Sequence, residues 1–305
     1  MFRFDLVGHS VLIPPPLRRG SRIRIVAPSG PFDSTLFWRA VGWLANYYHP
    51  IFERTIFERQ GFLAGSDERR RIELQRAIDD PAVAAIVVVR GGWGAARIVN
   101  SIDFGGLREY PKWLVGFSDP TILHVHAWQI GVASMHAGNL VGLGRADDFA
   151  RETWLRALEF PDEYRTLKGQ GRRKGQAAGI LVGGNLTVLI SSLAMGKLRF
   201  PHNCILALED VAESSYRIDR MLSTLLNSGA LDRVAAFALG QFIDCDSGQH
   251  GVTVSGVIED QLESMGLPVV SDLPFGHGKI NTPLPFGTHA ILDGTRGELR
   301  LGKAK

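Results

Sequence analysis

Short β-rich runs alternate with amphipathic stretches through the first half of the chain. The candidate strands lie at residues 22–27, 84–89, 113–117 and 132–135. Residues 84–89 contain no polar side chain, which favours a strand buried on both faces of a parallel sheet. Residues 36–48 and 67–80 carry apolar positions at helical spacing. This alternation indicates βαβ units, and it predicts an α/β fold whose first half is an open, mainly parallel sheet with flanking helices.

The pattern breaks in the middle of the chain and then starts again. Residues 151–176 are polar and contain glycines among basic side chains, which predicts a linker between two domains, residues 1–150 and 177–305. In the second half, candidate strands lie at 179–184, 205–208, 236–242, 268–270 and 289–292, and candidate helices at 185–195, 214–226 and 255–265. The short final strands indicate that this second α/β domain has a mixed sheet.

Composition supports two folded domains and excludes a disordered chain. The chain has 305 residues, of which 45% are hydrophobic and 21% are charged, as in an average globular protein. The net charge of +3 is small for this length. Its basic cluster, Arg172–Lys174 with Lys168 nearby, lies in the predicted linker and is interpreted as solvated rather than as a nucleic-acid patch. We therefore expect no nucleic-acid partner.

Membrane and disulfide-rich classes are also disfavoured. No stretch reaches the ~18 consecutive apolar residues that a membrane helix needs. Asp5 and His9 interrupt the apolar core that a signal peptide would require. The two cysteines, Cys204 and Cys245, cannot form a disulfide framework. The sequence thus predicts a cytoplasmic protein without a membrane partner, and it offers no side-chain cluster with the ligand spacing of a metal site.

A glycine-rich segment, residues 90–94, directly follows the candidate strand at 84–89. Its glycines would let backbone N–H groups point at an anion at the start of the next helix. A dinucleotide fingerprint counted from Gly92 and Gly94 would need Gly or Ala at position 97, where Arg97 stands. The Gly-Lys-Ser/Thr of a mononucleotide loop is also missing. Two interpretations remain open, a structural turn without ligand and a cradle for an oxyanion or carboxylate.

A strand, a sharp turn and a helix are predicted around Ser118. Pro120 suits the first helical position because its missing N–H would be unpaired there. The arrangement is similar to a nucleophile elbow, which exposes a serine Oγ beside a helix N-terminus. Pro120 replaces the second glycine of that motif. The alternative is that Ser118 or Asp119 only caps the helix.

A serine nucleophile requires a base and an acid that orients the base. Among the histidines, His136 follows a candidate strand at the ligand-binding end of the sheet, and His277 lies between Gly276 and Gly278. Glu209 and Asp210 end the apolar run at 205–208, where a partly desolvated carboxylate could fix an imidazole tautomer. Each of these residues taken alone is more often structural, so their roles stay open at this point.

Eight short motifs occur in one order along nearly the whole chain. They are APSG (27–30), LAGSDERR (63–70), RGGWG (90–94), GFSD (116–119), MHAG (135–138), GGNL (183–186), LED (208–210) with Tyr216, Asp219 and Arg220 after it, and GHG (276–278). Together they resemble the LD-carboxypeptidase family, the muramoyltetrapeptide carboxypeptidases, which includes the microcin-immunity peptidases. Eight motifs in register are far more specific than any one of them.

The resemblance implies a serine peptidase with a Ser–His–Glu triad divided between the two domains. Matched by motif, Ser118 is the nucleophile, His277 the general base and Glu209 the carboxylate that orients it. The implied oxyanion hole consists of the backbone N–H groups of Gly91, Gly92 and Asp119. Such a triad can close only if the two domains dock face to face. The family implies neither a metal nor an organic cofactor.

The resemblance also implies a substrate and an assembly. The family acts in the cytoplasm on recycled cell-wall peptides, removing a terminal D-alanine from an L,D-bond of a tetrapeptide, and its members are commonly homodimers. Arg90, Trp93 and His136 are the candidate substrate-binding residues. Trp93 stands where another aromatic residue, often Tyr, is usual, and Ala137 where Pro often follows the histidine.

Two alternatives remain open at this stage. The first is a microcin-like peptidyl-adenylate as substrate, which would make the protein an immunity peptidase. The second is a non-catalytic module that binds a peptide or a nucleotide between its two domains. Residues 47–60 match no motif of the family and do not distinguish these alternatives.

Overall fold

Two β-sheets organise the fold, one centred in each half of the chain. The computed structural model describes residues 11–245 and 251–302, and the structural statements below refer to these residues. The α/β class predicted from the sequence is confirmed, with helices flanking both sheets. Among the described helices, none combines the length and apolar character that crossing a bilayer would require.

The described part of the first half supplies five strands and seven α-helices. Its strands are β1 (Arg22–Val26), β2 (His49–Ile51), β3 (Ala85–Val88), β4 (Trp113–Gly116) and β5 (Ser134–His136). Its α-helices are α1 (Ser34–Leu44), α2 (Asp67–Asp79), α3 (Ala95–Ile98), α4 (Gly106–Glu109), α5 (Thr121–Gln129), α6 (Leu140–Arg145) and α7 (Asp148–Glu159). Short 3₁₀ segments lie at Arg54–Phe57 and Val99–Ser101.

The second half supplies nine strands and three α-helices among the described residues. Its strands are β6 (Arg165–Lys168), β7 (Gln170–Arg173), β8 (Gln176–Asn185), β9 (Cys204–Val211), β10 (Val234–Ile243), β11 (Val269–Ser271), β12 (Leu284–Phe286), β13 (His289–Asp293) and β14 (Glu298–Leu301). Its helices are α8 (Leu186–Ala194), α9 (Ser215–Asn227) and α10 (Val254–Glu263), with a 3₁₀ segment at Ala230–Arg233.

The first sheet has the strand order β12-β5-β4-β3-β1-β2. Its strands are parallel except β12, which runs antiparallel to β5 and pairs Leu284 with His136. Strands β3 and β4 are buried along their whole length because helices cover both faces, as the unbroken apolar run at 84–89 predicts. The outer strand β12 comes from the second half of the chain, so the two halves share this sheet.

The second sheet has the order β6-β14-β13-β8-β9-β10-β11-β7. The four strands β8, β9, β10 and β11 are parallel, and the strands on either side of them are antiparallel. The predicted mixed sheet is therefore confirmed. In a parallel sheet the carboxyl ends of neighbouring strands lie side by side, and β8 and β9 pair Asn185 with Glu209 at these ends.

The prediction of a linker at residues 151–176 is wrong. Helix α7 buries Trp154, Leu155 and Leu158 in the apolar core of the first sheet. Strands β6 and β7 then pair with β14 and β11 at the two opposite edges of the second sheet. Edge strands with polar exposed side chains have the same composition as a linker, which explains the error.

Residues 47–60, which match no family motif, complete the opposite edge of the first sheet. Strand β2 pairs in parallel with β1. After it, Phe52 and Phe57 pack edge-on against Phe37 of α1, with ring centroids 5.0 and 4.9 Å away. The segment thus has a packing role that is visible in the structure.

Replacing Trp154 by Ala tests whether α7 belongs to the folded core. Trp154 is 2% exposed, and its Nε1 donates to the Gly138 carbonyl oxygen at 3.2 Å. We expect the free energy of unfolding, measured by urea denaturation, to fall by about 3–5 kcal/mol. Phe149→Ala on the same helix is the control, because Phe149 is 68% exposed and its loss should change stability by no more than about 0.5 kcal/mol. Equal effects of the two substitutions would contradict a buried α7.

Candidate active site

Ser118 lies in the turn between β4 and α5. Its backbone has φ of 71°, a left-handed conformation that costs a non-glycine residue about 1–3 kcal/mol. The Thr121 N–H closes the turn by donating to the Ser118 carbonyl oxygen at 2.9 Å. The predicted strand, sharp turn and helix are therefore present, with the predicted nucleophile at the strained position.

Neither Ser118 nor Asp119 caps α5, which corrects the capping alternative. The helix begins without a side-chain cap. Asp119 instead accepts the N–H of Ala95 at 2.9 Å, which fixes the start of α3 to the serine turn. Burial raises the pKa of Asp119, and the hydrogen bond from the Ala95 N–H and the field of the nearby Arg70 guanidinium oppose that rise. The side chain of Asp119 is thus occupied in holding the turn, and its predicted oxyanion role concerns its backbone N–H alone.

The glycine-rich segment 90–94 lies directly against Ser118. A Cβ placed on Gly91 would come within 2.8 Å of Ser118 Cβ and 2.9 Å of its Oγ, so no larger residue fits there. The Gly91 carbonyl oxygen accepts the N–H of Gly30 at 3.1 Å. The structure therefore brings the predicted oxyanion segment and the predicted nucleophile together.

Glu209 and His277 form a direct hydrogen-bonded pair. His277 Nδ1 lies 2.6 Å from Glu209 Oε2, and the carboxylate is fully buried whereas the imidazole is 19% exposed. Because an ionised carboxylate can only accept, Nδ1 carries the proton and Nε2 keeps a free lone pair. Glu209 Oε1 is buried without a hydrogen-bond partner in the described part of the chain. The pair thus leaves Nε2 as the ring nitrogen open to a proton from a neighbouring group.

The glycines beside His277 have a steric role. Gly276 has φ of 110°, and a Cβ there would lie 2.9 Å from Glu209 Oε2. Only glycine therefore lets the backbone pass so close to the carboxylate. On the other side, the Phe117 ring lies 4.8 Å from the His277 ring, measured between centroids. This contact joins the His277 segment of the second half to the residue that precedes Ser118.

A second contact between the halves lies at the end of β8. The Asn185 N–H donates to Thr121 Oγ1 at 3.0 Å, and Thr121 is fully buried. Gly184, with φ of 128°, leaves room for the Thr121 side chain. Because Asn185 pairs with Glu209 across β8 and β9, this bond fixes the start of α5, and hence the serine turn, relative to Glu209.

Asp210 stabilises this contact between the halves by binding residues at the end of β8 and the start of α8. Its carboxylate accepts hydrogen bonds from Asn185 Nδ2, from the N–H and Oγ1 of Thr187 and from its own neighbour Val211, each at 2.8–2.9 Å. Burial raises the pKa of Asp210, and these donors oppose the rise. Sequence reasoning named Asp210 only as a carboxylate beside Glu209 at the end of an apolar run, and it assigned no role to Asn185 or Thr121. Asn185 and Asp210 stand inside quoted motifs, which is the signal that could have pointed to them.

Asn139 is a further residue that sequence reasoning missed. Its Oδ1 accepts the Phe117 N–H at 3.1 Å, and its Nδ2 donates to the Phe117 carbonyl oxygen at 3.2 Å. The side chain therefore holds both polar backbone groups of the residue before Ser118. A polar residue three positions after the end of β5 lies where α/β sheets place functional groups, which is a signal available from sequence.

Two of the three predicted substrate-binding residues lie at the surface. Arg90 is exposed, and its Nη1 donates to the Pro31 carbonyl oxygen. Trp93 is 44% exposed on the same glycine-rich segment that contacts Ser118. Both side chains are therefore available to a ligand in this structure, and their roles remain predictions.

His136 has a different environment. It is fully buried among the rings of Phe117, Phe275 and Phe286, whose centroids lie 5.1–6.1 Å away. Neither ring nitrogen has a hydrogen-bond partner in the described residues. Burial lowers the pKa of His136 well below its ordinary value, so the ring is neutral. The structure does not bring His136 to a surface that a substrate could touch.

The described residues contain no group of three or more His, Cys, Asp or Glu side chains arranged to hold a metal ion. What they do contain is a strained serine beside a glycine-rich segment, and a carboxylate–imidazole pair that meets this serine turn across the domain junction. This arrangement has the components of acyl transfer through a serine nucleophile.

Comparison with known families agrees with this geometry. Residues 23–137 match the family model for the LD-carboxypeptidase N-terminal domain, and residues 178–292 match the model for its C-terminal domain. The resemblance drawn from the eight motifs is therefore confirmed.

Individual relatives cover nearly the whole chain. A putative carboxypeptidase of Synechocystis is 40% identical, covering 94% of this chain and 96% of the relative. A murein tetrapeptide carboxypeptidase of Pseudomonas aeruginosa is 31% identical, covering 90% and 94%. The crystal structure of a muramoyltetrapeptide carboxypeptidase from Oxalobacter formigenes has a TM-score of 0.83 at 28% identity, covering 92% and 99%. A microcin C7 self-immunity protein has a TM-score of 0.84 at 19% identity, covering 96% and 99%, which shows a shared fold.

Replacing Thr121 by Val tests the junction between the halves. The substitution keeps the shape of the side chain but leaves the buried Asn185 N–H without its acceptor. We expect the free energy of unfolding to fall by about 1–3 kcal/mol in urea denaturation. Thr224→Val is the matched control, because Thr224 is exposed on α9 and its Oγ1, among the described residues, bonds only the Arg220 carbonyl oxygen of the same helix. A loss for Thr121→Val no larger than for Thr224→Val would show that the junction does not depend on this bond.

Proposed function

Because the chain belongs to the LD-carboxypeptidase family, we propose that it is a serine carboxypeptidase that cleaves an L,D-peptide bond and releases a C-terminal D-alanine from a murein tetrapeptide. The observation that carries this proposal is the meeting of the strained Ser118 turn with the His277–Glu209 pair. The relatives described as acting on murein or muramoyl tetrapeptides, at 31% and 28% identity, support this substrate class.

The first step forms an acyl-enzyme. His277 Nε2 accepts the proton of the Ser118 hydroxyl while Oγ attacks the carbonyl carbon that precedes the terminal D-residue. Glu209 stabilises the resulting imidazolium through the Nδ1 hydrogen bond. The negative charge that develops on the substrate oxygen is held by backbone N–H groups of Gly91, Gly92 and Asp119. Donors of this kind contribute about 3–4 kcal/mol each in comparable sites.

The tetrahedral intermediate then collapses and the leaving group departs. His277 returns the proton to the amine nitrogen of D-alanine as the C–N bond breaks, which leaves the shortened peptide esterified to Ser118. A water molecule, deprotonated by His277 in turn, attacks this ester; as the bond from the carbonyl carbon to Ser118 Oγ breaks, His277 returns the proton to Oγ and the product carboxylate is released. No step requires a metal or an organic cofactor.

The substrate's own terminal carboxylate needs a cationic partner near the scissile bond. Arg90 is our candidate, because it adjoins the glycine-rich segment, is exposed and keeps guanidinium N–H groups beyond the one that donates to Pro31. An arginine fork matches a carboxylate in geometry as well as in charge. Trp93 beside it would contact the body of the peptide.

D-Alanine release from murein tetrapeptide tests the assignment of the nucleophile. We expect the unmodified protein to release D-alanine and Ser118→Ala to be at least about 1,000-fold slower, since only binding and the oxyanion donors would remain. A tetrapeptide ending in L-alanine is the stereochemical control and should not be cleaved. Equal rates for the unmodified protein and Ser118→Ala would contradict a serine mechanism.

Turnover of a second substrate and a binding measurement distinguish the two alternatives. Turnover of a peptidyl-adenylate analogue without turnover of murein tetrapeptide would identify an immunity peptidase of the microcin type. Calorimetric binding of tetrapeptide or of a nucleotide, with no turnover of any substrate, would instead identify a non-catalytic binding module.

Replacing Glu209 by Gln tests the carboxylate. Glutamine keeps the size but removes the charge that balances the imidazolium and selects the Nδ1–H tautomer. We expect kcat for D-alanine release to fall by about 100- to 10,000-fold with KM changed little. Glu259→Gln is the control, because Glu259 is an exposed residue of α10 paired with Arg172. If both variants kept the full kcat, Glu209 would have no part in orienting His277.

A further inference from the structure

Arg70 is a fully buried arginine in the LAGSDERR motif, which supplies no residue to the proposed triad. Burying a guanidinium is costly unless it is paired and hydrogen-bonded. A chain that keeps this charge inside therefore uses it, and the contacts of Arg70 indicate how.

The guanidinium joins two backbone segments that are far apart in sequence. Nη1 donates to the carbonyl oxygen of Pro28 and, at 2.7 Å, to that of Gly94, and Nη2 donates to Asp67 Oδ1. Pro28 belongs to the segment that follows β1, and Gly94 ends the glycine-rich segment that follows β3. The arginine thus ties together two loops at the carboxyl ends of neighbouring strands.

Hydrogen bonds hold both ends of the glycine-rich segment, and Arg70 supplies one of them. At its start, the Gly91 carbonyl oxygen accepts the N–H of Gly30. At its end, Arg70 holds the Gly94 carbonyl, and Asp119 holds the N–H of Ala95. Gly94 must be glycine, because a Cβ there would lie 2.8 Å from Arg70 Nη1 and its φ is 140°. The guanidinium therefore occupies the space that a side chain at position 94 would take.

We propose that Arg70 is a positioning residue that holds residues 90–94 in the geometry in which the Gly91 and Gly92 N–H groups bind the oxyanion. This inference rests on the proposed function. Oxyanion donors act through their fixed direction, so a displacement of this segment by a fraction of an ångström weakens transition-state binding more than substrate binding.

Lysine could not replace the arginine here. Asp67 orients the guanidinium, and Arg97 holds Asp67 in turn through two-pronged hydrogen bonds of 2.8–3.0 Å. One nitrogen of Arg70 reaches the carbonyls while another reaches Asp67. A lysine presents a single nitrogen on a flexible stem and cannot keep both sets of contacts.

The segment after β1 has an independent support. Arg69 Nη2 donates to the Ala27 carbonyl oxygen at 2.7 Å, and Glu73 accepts the Ala27 N–H at 2.7 Å. Loss of the Arg70 contacts should therefore act mainly on the Gly94 side, leaving the fold intact. Arg71 provides a matched control, since it follows on the same helix, is half-exposed and pairs only with Glu68 among the described residues.

The test compares Arg70→Lys with Arg71→Lys by the rate at which a fluorophosphonate probe modifies Ser118. The modification is measured as the increase in mass of the intact protein. Phosphonylation releases fluoride and places a phosphoryl oxygen in the oxyanion hole, so it reports the segment without any peptide substrate. We expect labelling of Arg70→Lys to be about 10- to 100-fold slower than that of the unmodified protein. Labelling of Arg71→Lys should stay within about twofold, and Ser118→Ala should not be labelled. For D-alanine release, kcat of Arg70→Lys should fall by the same factor with KM retained.

A folded Arg70→Lys that is labelled as fast as Arg71→Lys would overturn the proposal. If urea denaturation shows that Arg70→Lys is not folded, Asp67→Asn serves as the second test. This substitution weakens the contact that orients the guanidinium and leaves Arg70 in place. A labelling rate several-fold below the control then supports the proposal, and an unchanged rate overturns it. A wild-type protein that is labelled at Ser118 but releases no D-alanine would refute the proposed substrate while the labelling comparison still tests Arg70. Absence of labelling at Ser118 would overturn both.

Discussion

The bond from the Asn185 N–H to Thr121 Oγ1 is the constraint on which the arrangement of this site depends. The proposed nucleophile belongs to one half of the chain, and the proposed base and carboxylate belong to the other. Asn185 is paired with Glu209 in the sheet, and Thr121 opens the helix that follows Ser118. Together with the pairing of β12 on β5 and the contact of Phe117 with His277, this buried hydrogen bond fixes the position of groups that neither half could position alone.

Buried polar side chains that bind main-chain atoms hold each piece of the site. Arg70 binds the Gly94 carbonyl, Asp119 binds the Ala95 N–H, and Asn139 binds both backbone groups of Phe117. Each such group is costly to bury, and the hydrogen bonds it makes offset that cost. Their common effect is to fix backbone conformations that would otherwise relax, including the strained φ of Ser118.

The sequence predicts those parts of this structure that are local. Unbroken apolar runs predict the central strands. A strand pattern followed by Pro120 and a helical pattern predicts the turn at Ser118. The prediction of a linker at 151–176 is wrong because polar edge strands and linkers have similar compositions. Strand β12 and the bond between Thr121 and Asn185 were missed because their partners lie far away in sequence, 64 residues in the latter case. No periodicity reveals such pairings.

The two histidines near Phe117 have different surroundings, which their motifs alone do not reveal. His136 and His277 both stand in family motifs, and both rings contact Phe117. His136 is enclosed by aromatic rings without a polar partner, and burial keeps it neutral. His277 is partly exposed, and its Nδ1 lies 2.6 Å from Oε2 of the buried Glu209 carboxylate. Of these two rings, only His277 has a hydrogen-bonded carboxylate beside it, so the neighbouring Glu209, rather than the histidine itself, distinguishes His277 as the proposed base.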